Sequence, residues 1–109
     1  MSVRPVVLGY LRTPDGATDD VLAWLQRELA DYAEREGFCL AAVFVERTGA
    51  GSAALTAVMD ALKRREAQAV LLPALEHLSP SPASRQALRH LIERETGAQV
   101  LIMYPSPRE

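Results

Sequence analysis

The sequence predicts a three-layer α/β sandwich around a central parallel sheet of four strands. Three observations carry that prediction. Four short aliphatic and β-branched runs alternate with three amphipathic stretches, giving the order β-α-β-α-β-α-β. Strands that alternate with helices are joined by right-handed crossovers and lie parallel. The runs are apolar along most of their length rather than alternating, the pattern of strands covered on both faces. Glycine and proline fall at most of the boundaries, where they punctuate the chain: Pro14, Gly16, Gly37, Gly49, Gly51, Pro73, Pro82 and Gly97.

Each element has its own signals. Val6 to Leu11 is a β-rich run after Pro5, and its uninterrupted apolarity marks it as the central strand. Thr13-Pro14-Asp15-Gly16 is turn chemistry. Thr18 or Asp19 then caps a helix whose N-terminal dipole suits Asp19 and Asp20. Val21, Leu22, Leu25, Leu29 and Tyr32 give that helix its apolar stripe, with Trp24 beside it, and Gly37 ends it. Phe38 to Val45 reads as a second buried strand, in which Cys39 acts as a small hydrophobe. After a loop from Glu46 to Ser52, a helix buries Leu55, Val58, Met59 and Leu62. Ala69 to Leu72 is the third strand, stopped by Pro73. Ser81 followed by Pro82 is a strong helix start, and Ala87, Leu88, Leu91 and Ile92 are that helix's expected buried face. Gly97 closes it before a fourth strand, Gln99 to Tyr104. The predicted strands lie near residues 6–12, 38–46, 68–73 and 99–104.

Composition bounds the function. The chain of 109 residues is 49% hydrophobic and 24% charged, so it reads as one globular domain over residues 1–109, not a disordered or low-complexity chain. A single cysteine excludes an internal disulfide framework and a multi-cysteine zinc site. No apolar run approaches the ~20 residues of a membrane span, and no secretory leader is evident, so a cytoplasmic protein is expected. A net charge of -2 argues against a dedicated nucleic-acid binder. Lys63 is the only lysine among the cations, which with the abundant alanine suggests a GC-rich coding bias.

Cofactor signatures are absent. No G-x-G-x-x-G follows the first strand, and Gly49-Ala50-Gly51-Ser52 lacks the lysine of a phosphate-binding loop. Strand one ends in Arg12 and strand three is followed by Pro73, so the acidic residues of a phosphorylatable receiver are missing. His77, His90 and Cys39 have no ligand-like spacing. No metal and no cofactor are expected. In an open parallel sheet, function concentrates beyond the carboxyl ends of the strands, here after Tyr10, Val45 and Leu72.

Three segments at those ends resemble one family. Tyr10-Leu11-Arg12-Thr13-Pro14 is similar to the Y-x-R-V-S that ends the first strand in the catalytic domain of serine recombinases, the resolvase/invertase family. Glu46-Arg47-Thr48-Gly49 resembles that family's acidic-x-x-S-G loop. Leu71 to Ser81 resembles its V-V-x-x-L-D-R-L-G-R-S. The resemblance spans residues 3 to 104 and implies a resolvase-like fold. It also implies lost catalysis. The family's serine attacks a DNA phosphodiester, and that position falls on Pro14. The arginine cluster that stabilises the phosphoryl transition state keeps only Arg12, because its third-strand arginines fall on His77 and Pro80. Glu76 retains the motif's acid in kind.

The expected function is therefore a catalytically degenerate resolvase-like domain serving as a protein-interaction or regulatory module, with an unnamed protein partner. The alternatives are a true strand-exchange enzyme and a small-anion or nucleotide binder using Arg12, Arg47 and His77. For Arg12 the plainer expectation is an ion pair with Glu76 or Glu46. The chain is expected to bind DNA weakly on its own and to be a monomer or weak dimer. Trp24 and the Leu75-Glu76-His77-Leu78 segment are its expected exposed contacts.

Overall fold

In the computed structural model, which describes residues 3–13, 18–47, 52–79 and 81–104, the four apolar runs form β1 (Val6–Thr13), β2 (Cys39–Arg47), β3 (Ala69–Leu72) and β4 (Gln99–Ile102). Between them lie α1 (Asp19–Arg35), α2 (Ala53–Lys63) and α3 (Pro82–Thr96), with a 3-10 turn at Leu75–His77. All strand pairs are parallel, in the order β2-β1-β3-β4, so β1 is central as its composition predicts. No helix of the described residues is long and apolar enough to cross a membrane.

The alternation of β1 side chains divides the interior into two cores. Leu8 and Tyr10 pack with Val58 and Leu62 of α2 and Ile92 of α3. Val7 and Leu11 point the other way, toward Leu29 and Ala33 of α1. One helix thus covers one face of the sheet and two cover the other. Each fully buried leucine contributes about 1.5–3 kcal/mol, and Leu11, Leu29, Leu71 and Leu72 are all at 0% exposure. Gly9 allows α1 and β2 to approach closely. A Cβ there would lie 3.1 Å from Val43 and 3.2 Å from Leu29.

The helix boundaries follow the local chemistry. The Thr18 hydroxyl accepts from the Val21 N–H, capping α1. Gly37, at φ 79°, supplies the left-handed residue after that helix. Pro82 begins α3 as expected, but Ser81 makes no side-chain cap hydrogen bond.

Three expectations are corrected. Among the described residues β2 is an edge strand, with β1 as its only strand neighbour, and Cys39 at its start is exposed rather than buried. Only Ile92 of the four apolar positions expected to face inward from α3 is buried. Leu88 is partly covered, while Ala87 and Leu91 are exposed because the stripe extends past the sheet into the space between α2 and α3. Leu75 and Leu78 are 2% and 1% exposed, since the 3-10 turn folds them into the core, so that segment presents no apolar surface contact. Trp24 is 49% exposed, as expected of a surface contact. The two sheet edges differ. On β4, the Val100 N–H donates to Glu93 and the Val100 carbonyl accepts from Arg89, so side chains of α3 occupy that edge.

Candidate functional site

The chain leaves β1 in one lateral direction to form β2 and crosses back to form β3 on its other side. The carboxyl ends of β1 and β3 therefore flank a topological switch point, where open α/β sheets place their ligand crevices. Arg12, from β1, and the turn after β3 meet there. The Arg12 backbone N–H donates to Nδ1 of His77 at 2.9 Å, and the Arg12 Nε donates to the His77 carbonyl at 3.3 Å. His77 is thus fixed as an acceptor at Nδ1. Burial, and then the nearby Arg12 charge, hold its imidazole below the ordinary pKa, against the raising influence of Glu76.

A second chain of contacts runs toward β2. Nη2 of Arg12 donates to the Tyr10 hydroxyl at 3.3 Å, and that hydroxyl lies 3.5 Å from Oε1 of Glu46. The same Oε1 accepts from the backbone N–H of Leu55 at 3.1 Å. Glu46, only 2% exposed, therefore stands in for the missing side-chain cap at Ser52 and satisfies the start of α2. Burial is the main cause of the raised Tyr10 pKa.

These contacts overturn the expected ion pair. Arg12 reaches Glu46 only through the Tyr10 hydroxyl and is not paired with Glu76, whose side chain is exposed. Among the described residues the ion pairs are Arg4–Glu34 and Arg64–Glu66, both on the surface. Arg47 is exposed at the end of β2, in register with Thr13. Arg12 and His77 are thus brought together, whereas no hydrogen bond or ion pair among the described residues joins Arg47 to either. Pro14 and Pro80 lie outside the described residues. No cluster of three or more potential metal ligands occurs among the described residues.

Beside Arg12 opens a groove of about 550 Å³ between α2 and α3. Its walls are Leu55, Leu78, Leu88 and Leu91, with Ser79 and Ser84 supplying hydroxyls. A cavity of about 300 Å³ lies at the opposite end of the sheet, bordered by Leu62, Arg65 and Thr96. The first groove is the functional candidate, because it combines the switch point with a guanidinium. Sequence reasoning missed the linking roles of Tyr10 and Glu46. The available signals were a hydroxyl in an otherwise apolar strand, which needs a buried partner, and a carboxylate at the end of the strand that precedes a helix.

No protein-family model matches the sequence, and no curated protein matches it. Solved structures share its fold. The C-terminal catalytic domain of ISC1926 TnpA, an IS607-like serine recombinase, has a TM-score of 0.78 at 15% identity, over 94% of this chain and 72% of that one. The N-terminal catalytic domain of TP901-1 integrase gives 0.72 at 20% identity, over 90% and 76%. The C-terminal catalytic domain of IS1535 TnpA, another IS607-like serine recombinase, gives 0.59 at 14% identity, over 93% and 71%. The chain has the fold of a serine-recombinase catalytic domain.

Proposed function

We propose that this is a serine-recombinase-like domain without strand-exchange chemistry, serving as a protein-interaction or regulatory module. The observation that carries the reading is the state of His77. By the resemblance, this residue stands where the family places a transition-state arginine. Here its Nδ1 is committed to the Arg12 backbone, and burial favours its neutral form. A neutral imidazole used as a structural acceptor supplies no cation to a crowded phosphoryl group. Two further departures are read from the sequence: Pro14 offers no nucleophile, and Pro80 offers no guanidinium. Each missing oxyanion donor removes about 3–4 kcal/mol of transition-state stabilisation.

The test is incubation with supercoiled plasmid and with short duplexes, followed by a denaturing gel. No covalent protein–DNA adduct is expected from the native chain or from Pro14→Ser. An adduct from either would overturn the reading. Affinity capture from the native cell, comparing the chain with a Trp24→Ala variant, then asks whether a partner uses the exposed Trp24 face of α1.

A further inference from the structure

We propose that the groove between α2 and α3 binds a small anionic molecule with an apolar body, its charged head held by Arg12. This site does not depend on whether strand-exchange chemistry has been lost, and its test does not involve DNA.

Three independent features converge on that ligand class. The first is the unneutralised charge of Arg12. Its side chain is partly buried, yet its hydrogen bonds go to a carbonyl and a phenolic hydroxyl, and no carboxylate pairs with it among the described residues. A guanidinium withdrawn from water without a counter-ion favours an incoming anion, and its planar fork matches a carboxylate. Glu46 does not fill that role, because it is buried with Oε1 on the Leu55 N–H.

The second feature is the apolar wall. Leu91 is 37% exposed and Ala87 is also exposed, on the stripe of α3 that composition marks for burial. Together with Leu55 and Leu88 they give the groove a surface that a bare inorganic anion would leave uncovered. The third feature is the polar complement at the groove. Ser52, Ser79 and Ser84 can donate or accept, and among the described residues no acidic side chain lines the space to repel an anion. At about 550 Å³ the volume lies within the range of small-molecule sites. A monoanion with an aromatic or short aliphatic body satisfies all three features, whereas neither inorganic phosphate nor a neutral hydrocarbon does.

The probe is 4-phenylbutyrate, titrated into the isotope-labelled chain and followed by amide chemical shifts. Its neutral amide and acetate serve as comparators. Saturable shifts at Leu55, Leu88 and Leu91 are expected, with a dissociation constant on the order of a millimolar, as befits a fragment-sized molecule. The amide is expected to bind about tenfold more weakly, and acetate to leave those amides unmoved. Arg12→Gln should bring the acid down to the affinity of the amide, and Arg12→Lys should recover part of the difference. Leu91→Ser, at an exposed wall position, should weaken the acid and the amide alike. Equal affinity for acid and amide, acetate binding as tightly as the acid, or no saturation by the acid would each overturn the proposal. The acid–amide comparison on the native chain decides the matter even if an Arg12 variant fails to fold.

Discussion

Arg12 and His77, 65 positions apart in the chain, clasp each other by two hydrogen bonds in which Arg12 is the donor both times. The backbone of β1 donates to the imidazole, and the Arg12 side chain donates to the His77 backbone. This clasp ties the end of the central strand to the turn that follows β3. It also requires Nδ1 of His77 to carry no proton.

That requirement makes the clasp sensitive to acid. The folded imidazole has a pKa below the ordinary 6.5, so the unfolded chain takes up a proton that the folded chain resists. Its contribution to stability is complete above about pH 6.5, declines as the pH falls through the folded value, and then levels off. Urea midpoints measured from pH 8 down to pH 5 should fall more steeply for the native chain than for His77→Asn. Parallel curves for the two proteins would show that the clasp does not titrate.

Removal of the buried cap at α2 should be costly. Glu46→Ala leaves the Leu55 N–H without its acceptor and the Tyr10 hydroxyl without its partner on β2. The expected loss is about 1–3 kcal/mol of unfolding free energy. Glu46→Gln keeps an acceptor oxygen and should lose less. Equilibrium denaturation of the two variants gives the comparison, and equal losses would count against the capping role.

At Gly9, added bulk meets packed side chains. A Cβ already stands within 3.2 Å of Leu29, which is fully buried, and within 3.1 Å of Val43. Gly9→Val should therefore destabilise by about 1–3 kcal/mol through overpacking. A calorimetric Tm equal to that of the native chain would show that α1 yields without cost.

Duplex DNA should bind poorly. Twelve cations face fourteen anions in the sequence, and Arg4 and Arg64 are paired with Glu34 and Glu66. Affinity for duplex rests on cations that displace condensed counterions. Fluorescence anisotropy at about 150 mM salt should show no saturation at low-micromolar protein. Submicromolar binding with a steep salt slope would favour the strand-exchange reading instead.

The strands, their parallel order and the central place of β1 were legible because each rests on local signals: continuous apolar runs, capping residues and glycine or proline punctuation. Edge position was not legible in β2, because an apolar edge strand and an apolar inner strand share one composition. Exposure of Cys39 follows from lateral neighbours, which lie far away in sequence. Arg12 and His77 could be singled out from the sequence, but their pairing could not. The Glu46 or Glu76 partner that charge alone suggests for Arg12 gave way to a carbonyl and a phenol, because Glu46, although directly across the register from Arg12, accepts from the Leu55 N–H at the start of α2, and Glu76 is exposed on the turn at Leu75–His77. The groove was invisible for the same reason. A helical stripe states which residues want cover, and only the neighbouring helix states which of them receive it.

The placement of β1 at the middle of the sheet sets a timetable for vectorial synthesis. The central strand leaves the ribosome before either of its lateral partners exists. Once β2 has emerged, the β1-α1-β2 unit can close one side of the nascent sheet, with Leu29 and Ala33 seated on Val7 and Leu11. The Leu8 and Tyr10 side stays bare until α2 and β3 follow. At about 5–20 residues per second that interval lasts on the order of seconds. Through it the nascent chain carries a half-built, sticky sheet face whose natural cover is still being translated.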